Sequence, residues 1–107
     1  MSDWPLLDEL KQVLDVDPET TAWDGDYDET RLTRLLAAAI DYVKQDIGDW
    51  DDTYDFPTDR QSQAALRMAE LMALKPEVAA AVTKGAVVAD PVYAALMTGQ
   101  HRRFGFS

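Results

Sequence analysis

The sequence contains no cysteine, one histidine and no long apolar run. Without cysteine, the chain forms neither a disulfide framework nor a thiolate centre for metal binding or catalysis. Its one histidine, His101, cannot by itself build a histidine-based metal site, and no apolar run approaches the roughly 20 residues that span a bilayer. The N-terminal stretch MSDWPLLDEL carries acids in place of the basic stretch of a signal peptide. These absences favour a cytosolic protein without a membrane segment.

Basic residues are also scarce in most of the chain. Acidic residues number 20 and basic residues 10, for a formal net charge of −10. Residues 1–59 hold 17 acidic and 4 basic residues, a net charge of −13, whereas residues 60–107 have a net charge of +3. Because contacts to phosphate groups need Lys and Arg, this acidity argues against a tightly bound nucleic acid. The simplest role of the acids is to keep the protein soluble.

What the sequence does contain is apolar residues at helical spacing. Within Asp28–Gly48 they recur so that one face of a helix is apolar. Asp28 suits the N-cap of this helix, and Gly48 suits its left-handed end. The apolar positions are Leu32, Leu35, Leu36, Ala39, Ile40, Val43 and Ile47. A helix with one apolar face needs partners, which the other stretches must supply.

Three further stretches predict helices. Residues 3–14 predict a short helix with Pro5 in its first turn. Thr58 predicts the N-cap of a third helix that runs to about Leu74, and Asp90 caps a last short helix that begins with proline and stops at a glycine. The third helix is apolar over much of its circumference, so it is either central in the fold or shared with a neighbouring subunit.

These elements predict the fold class. We expect an all-α fold, a small helical bundle of three main helices plus a short C-terminal helix over residues 1–98, followed by an extended C-terminal tail over residues 99–107. Residues 76–89 mix alanines with β-branched residues, so helix, hairpin and flexible arm all stay open there.

Two acidic connections, residues 15–27 and 49–57, join the predicted helices. Their aromatic residues, Trp23 among them, are expected to fold back on the bundle.

In Asp24–Asp28 the carboxylates match the first positions of a calcium-binding EF-hand loop, but the glycine and the bidentate glutamate of such a loop are missing. No pair of carboxylates is singled out for acid–base catalysis. We expect no metal, no cofactor and no enzymatic activity.

A basic and aromatic segment follows the last predicted helix. Arg102, Arg103, Phe104 and Phe106 give an otherwise acidic protein an end of opposite charge. Arg and aromatic residues are enriched where interfaces concentrate their binding energy. Chain ends are usually frayed, but two exposed phenylalanines there would promote aggregation. We therefore favour docking of this segment to a partner.

Four stretches, taken in chain order, carry a resemblance to a known family. They are LKQVLDVDPE, RLLAAAIDYVKQDIG, QSQAALRMAELMAL and DPVYAALMTGQHRRFGF. Together they resemble the head–tail connector (adaptor) proteins of long-tailed bacteriophages, in which a long helix closes with a Tyr…Gly step and the third helix is rich in Ala and Leu. That family ends in a Val-x-Ala-Leu-Leu…Tyr-Arg-like signature. The residues that stand in this pattern are Val92, Ala95, Leu96, Arg102, Arg103 and Phe104. The chain departs from the family at Gly99–Arg102, where Pro-Tyr-Arg is frequent, and in its longer acidic loops.

The resemblance implies a structural virion protein. It implies a helical bundle that assembles as a ring, usually of twelve copies, between the portal and the tail or neck, in the neck of a virion assembled in the host cytoplasm. The implied partners are the portal protein, neighbouring copies and the next neck or tail-completion protein. DNA would pass through the channel of the ring without specific binding, and no membrane is involved.

The resemblance also implies roles for particular residues. Arg102, Arg103, Phe104 and Phe106 would bind the portal or an adjacent subunit. Candidates for contacts between subunits are Met68, Leu71 and Met72. The acids that would face the channel, where they let DNA slide because they do not neutralise its phosphates, are Asp49, Asp51, Asp52 and Asp55.

The residues leave a second interpretation open. The acidic half of the chain is also typical of a helical inhibitor, or DNA mimic, that binds a regulatory or nucleic-acid-binding protein. In that case the region of net charge −13 is the binding face itself, and the affinity for the partner falls steeply with salt.

Overall fold

In a computed structural model of the chain, which describes residues 3–14 and 29–101, all regular structure is helical. The helices of this part are α1 (Leu7–Val13), α2 (Glu29–Ile47), α3 (Asp59–Leu74), α4 (Pro76–Thr83) and α5 (Pro91–Met97). The described residues contain no strand, so the predicted all-α bundle is confirmed. Among these helices, none is both long and apolar enough to cross a bilayer.

The core forms where α2 packs on α3. Six of the seven positions in the predicted apolar stripe of α2 are buried, and the seventh, Ile40, is partly buried. They meet the small and flexible residues of α3. The buried core residues of α3 are Ala64, Ala65, Met68, Ala69, Met72 and Ala73. Removing this apolar surface from water is the main favourable term in the folding of the bundle.

Helix α3, and not α2, is the central element, because each of the other four helices packs on it. This position accounts for its broad apolar arc and corrects the sequence-based assignment of subunit contacts. Met68, Leu71 and Met72 are 0%, 5% and 1% exposed, since helices of the same chain already cover them. They leave no surface for a neighbouring copy.

The predicted end of α2 is confirmed. The helix stops at Ile47, and Gly48 follows with φ +81°, in the left-handed region that favours glycine. Asp49 also has a positive φ of 46°, which turns the chain sharply away from the helix axis. The proposed N-cap Asp28 lies outside the described residues.

Helix α1 begins later than the sequence predicts. Pro5 is buried ahead of the N-cap, which is Leu6, and the helix starts at Leu7. The side chain of Glu9, three residues after the cap, accepts a hydrogen bond of 3.1 Å from the Leu6 backbone N–H. This hydrogen bond is one half of a capping box. It sets the start of α1 at Leu7, although proline is also favoured in the first turn of a helix.

The start of α3 follows its predicted cap. The Thr58 hydroxyl accepts a hydrogen bond from the Gln61 N–H at 3.1 Å, and the Gln61 side chain accepts one from the Thr58 N–H at 2.9 Å. At the other end, Pro76 forces Lys75 into an extended conformation, so α3 stops and α4 restarts with proline at its first position. The open stretch 76–89 is thus a short helix followed by an irregular segment.

Three side chains at the beginning of α3 hold residues that are distant in the chain. The Ser62 hydroxyl donates a hydrogen bond of 2.5 Å to the Asp3 carbonyl oxygen. The Thr58 hydroxyl donates one of 3.0 Å to the Gln100 side-chain oxygen. Arg60 also donates to the Ala95 carbonyl oxygen of α5. The first turn of α3 therefore anchors both ends of the described chain.

The connection after α2 is an irregular structured loop, but only part of its aromatic prediction is correct. Trp50 packs against the core cluster. Tyr54 and Phe56 are 78% and 54% exposed, so these two aromatic residues do not fold back on the bundle. The expected position of Trp23 over the core lies outside the described residues.

Candidate functional site

A groove lies beside the second half of α2. One part of it, of about 570 Å³, lies between α2, the end of α4 and the turn that follows α4. A second part, of about 500 Å³, continues past the shared residues Tyr42, Asp46 and Val87 along the irregular segment 86–90 to α5. We call the two parts together the α2 groove. Residues that line it include Ala38, Asp41, Tyr42, Asp46, Val82 and Val87.

Two tyrosines form the middle of the groove. The rings of Tyr42 and Tyr93 meet edge to face, with centroids 5.6 Å apart. The Tyr42 hydroxyl accepts a hydrogen bond of 2.9 Å from the Val88 N–H, which ties the irregular segment to α2. The Tyr93 hydroxyl donates one of 2.8 Å to an Asp46 carboxylate oxygen. These bonds fix the shape of the groove before any ligand arrives.

The environment of Tyr93 keeps its hydroxyl protonated. Burial raises the pKa of Tyr93 strongly, and the hydrogen bond to the Asp46 carboxylate raises this pKa further because a phenolate there would face a negative charge. The hydroxyl is therefore a permanent donor to Asp46, and we assign it a positioning role and not a nucleophilic one.

Asp46 also fixes the end of the described chain. Its second oxygen lies 3.2 Å from Nε2 of His101, which forms an ion pair when the imidazole is protonated. Together with the hydrogen bond between Thr58 and Gln100, this contact holds residues 100–101 against the body of the bundle. His101, the last described residue of the chain, therefore lies at one end of the α2 groove.

The wall of the groove at α5 rests on an ion pair with α3. The Arg67 guanidinium donates two hydrogen bonds to the Asp90 carboxylate, at 3.1 and 3.0 Å, and a third of 3.0 Å to Glu70. The hydrogen bonds from Arg67 hold the pKa of the Asp90 carboxyl below its usual value, and the bond to Asp90 raises the pKa of Arg67. Asp90 accepts a further 2.9 Å bond from the Tyr93 N–H as the N-cap of α5, as predicted.

The four acids proposed to face a DNA channel lie on the loop after α2. Asp52 accepts hydrogen bonds from Lys44 at 2.9 Å and from the Trp50 indole at 2.7 Å, and these two donors lower its pKa. Asp55 accepts from the Asp51 N–H at 2.7 Å, and Asp51 accepts from the Thr53 N–H at 2.8 Å. The acidic loop is therefore held in shape by its own side chains.

Two tryptophans fasten this loop to the start of the chain. The rings of Trp4 and Trp50 are 5.3 Å apart, and the Lys44 ammonium lies 5.8 Å from the Trp4 ring centroid. Such a cation–π contact contributes roughly 0.5–1 kcal/mol at an exposed site. No group of three or more potential ligands for a metal ion occurs in the described part of the chain.

The structure brings together residues that the sequence analysis missed. Tyr42 and Asp46 are four residues apart on α2 and share one face, which is the available sequence signal. Tyr93 and Val88 join them only through the packing of α5 and the preceding segment. Among the predicted site residues, the acids lie together on one loop, and Met68, Leu71 and Met72 lie in the core. The predicted docking residues Arg102, Arg103, Phe104 and Phe106 lie outside the described residues.

Comparisons of the chain with protein-family models, curated proteins and solved structures give no match. The functional argument therefore rests on the sequence pattern and on the geometry described above.

Proposed function

We propose that the chain is a structural subunit of the head–tail connector of a long-tailed bacteriophage. In this role, copies form a ring, usually of twelve, in the virion neck between the portal and the next neck or tail protein. DNA passes through the channel of that ring, and the subunit carries out no reaction. The proposal rests on the sequence resemblance and on one structural observation.

That observation is the attachment of the two residues that precede the basic and aromatic segment in the chain. Thr58 and Asp46 hold Gln100 and His101 against an acidic part of the bundle. A subunit that joins two larger assemblies needs such an arrangement, because preorganisation lowers the entropic cost of binding. Arg102, Arg103, Phe104 and Phe106, which come next in the sequence, are of the residue types that dominate interface energetics.

Contacts between copies need apolar surface that the single chain leaves exposed. Met68, Leu71 and Met72 are excluded by their burial. The large apolar side chains that remain exposed in the described residues are Leu6, Val13, Tyr54, Phe56, Leu74, Val87 and Val92. Tyr54 and Phe56, on the loop that also carries the acids, are our revised candidates because aromatic residues are enriched in interfaces.

The test is to measure the mass of the chain alone and mixed with the portal protein of the same phage, by light scattering during gel filtration. We expect a complex of one portal ring with many copies of the chain. The combined variant Arg102→Ser, Arg103→Ser, Phe104→Ala and Phe106→Ala should lose this complex. The control Arg34→Ser with Lys75→Ser removes the same charge from exposed sites on α2 and next to α3, and should keep it.

A chain that stays monomeric in the presence of the portal would refute the connector proposal. If the combined variant assembled with the portal to the same extent as the original chain, the assigned role of the Arg and Phe residues would be wrong. The connector proposal itself would be unaffected.

A further inference from the structure

The α2 groove has an apolar interior and an acidic rim. Val82, Ala86 and Val87 contribute apolar surface, and the carboxylates of Asp41 and Asp46 line its edge. Of its lining residues in the described chain, none is Lys or Arg. Lys84, the nearest basic residue along α4, is exposed and is not a lining residue. Such a surface suits a segment that carries both positive charge and large apolar side chains.

Of the segments outside the described residues, 15–28 and 102–107 are long enough to reach a surface of the bundle. Residues 15–28 carry six acids and no Lys or Arg, so the rim of the groove repels them. Residues 102–107, with the sequence RRFGFS, carry two Arg and two Phe, which match the rim and the interior respectively. Charge complementarity therefore selects the second segment.

The position of residue 101 also favours this segment. His101 is itself a lining residue at the α5 end of the groove, and its imidazole is 3.2 Å from Asp46 in the middle. An extended chain from His101 reaches roughly 10 Å at Phe104 and roughly 17 Å at Phe106. The groove follows α2 from Asp46 back to Ala38, a rise of roughly 12 Å along the helix, so both phenylalanines can reach its surface. Because the segment is tethered at the groove, its effective concentration there is high and even weak contacts are populated.

We propose that the α2 groove is the docking site of residues 102–107 of the same chain when no partner is bound. Arg102 and Arg103 pair with the acidic rim at Asp41 and Asp46, and a phenylalanine covers the apolar surface around Val87. Docking shields this phenylalanine from water in the free protein. The inference goes beyond the proposed function, because it concerns the isolated chain and holds whatever partner the segment binds later.

The absence of cysteine allows a direct test. The variant Ser107→Cys carries a single thiol, to which a nitroxide spin label is attached. The amide signals of this full chain, labelled with ¹⁵N, are recorded with the nitroxide oxidised and again with it reduced. We expect the amides of Ala86 and Val87 to lose most of their intensity with the oxidised label. Those of Asp8 and Gln12, on α1, should keep theirs.

Matched variants identify the contacts. Val87 and Val92 are 90% and 50% exposed, but only Val87 lines the groove. Val87→Asp should restore the intensity at Ala86, whereas Val92→Asp should leave the loss unchanged. In the same way, Asp41→Lys should restore the signal intensity at Ala86, and the charge reversal Asp8→Lys on α1 should not restore it.

Mixing distinguishes docking within one chain from docking between copies. In this experiment, chain that carries the spin label but no ¹⁵N is added to ¹⁵N-labelled chain that carries no spin label. The amide signal of Ala86 should keep its intensity if each chain fills its own groove. A loss of intensity in the mixture would assign the occupant to a second copy and overturn the proposal. Full intensity at Ala86 and Val87 in the chain that carries both labels would also overturn it. Neither result depends on the portal, so this inference and the connector proposal fail separately.

Discussion

At the scale of single residues, Asp90 links two helices of the bundle. Its carboxylate accepts two hydrogen bonds from Arg67 of α3 and one from the backbone of Tyr93. It is 11% exposed in its side chain, so these bonds are partly shielded from water. One residue therefore both caps α5 and attaches that helix to the centre of the bundle.

The two roles of Asp90 can be separated by substitution. Asp90→Asn keeps a side-chain oxygen for the cap and loses the ion pair, whereas Asp90→Ala loses both. We expect Asp90→Ala to lower the free energy of unfolding by about 1–3 kcal/mol and Asp90→Asn to lower it by less. Urea unfolding followed by circular dichroism measures both values. Equal losses would show that the cap contributes nothing.

The ion pair of Asp90 also predicts a dependence on pH. Because Arg67 lowers the pKa of Asp90 in the folded protein, the stabilisation is present above the ordinary carboxyl pKa and is lost as the pH falls through the lowered value. The stability difference between the original chain and Asp90→Asn should therefore shrink between about pH 6 and about pH 2. A difference that stays constant over this range would contradict the assigned cause.

At the scale of helices, the centre of the fold is α3. Its methionines fill the space between α2 and the shorter helices, and flexible thioether side chains suit such an irregular gap. Leu74, at the end of the same helix, is 53% exposed.

The contrast between these two environments gives a prediction for α3. Met72→Ala should lower the free energy of unfolding of the single chain by about 2–5 kcal/mol, because it leaves a cavity in the core. Leu74→Ala should change it by less than about 0.5 kcal/mol. Thermal and urea unfolding at low protein concentration measure both. If Met72→Ala left the single chain intact and weakened only its assembly, the original subunit-contact assignment would be right after all.

The helices that the sequence predicted well are those with local signals. Thr58, Asp90 and Gly48 act on backbone groups within a few residues, so the ends that they control could be located without tertiary information. Pro5 misled the prediction for α1 because the side chain of Glu9 decides the start of that helix. Residues 76–89 could not be assigned, since their helix depends on Pro76 and on packing against α3.

At the scale of the whole molecule, the sequence predicted the fold class but not the groove. The groove needs Tyr42 and Val88, which are 46 positions apart in the chain and meet in one hydrogen bond. The spacing of apolar residues in the sequence does not indicate this contact. The burial of Met68 and Met72 was missed for the same reason, because the pattern shows a broad apolar arc but not which surface covers it.

The two hydrogen bonds made by the first turn of α3 have a consequence for the connectivity of the chain. Ser62 holds residue 3 and Thr58 holds residue 100, and the two anchors are a single helical turn apart. Sequence order could therefore be changed while the packing is kept. A circular permutant, with residues 1 and 107 joined by a short Gly-Ser linker and new ends at the exposed turn at Gly85, should keep the helical circular dichroism spectrum and cooperative unfolding.

The matched control for this permutant is the original chain with the same linker inserted at Gly85. If the insertion folds and the permutant does not, residues 3 and 100 are not held together in solution. If both fold, residues 3 and 100 lie close together in solution, as the two hydrogen bonds require.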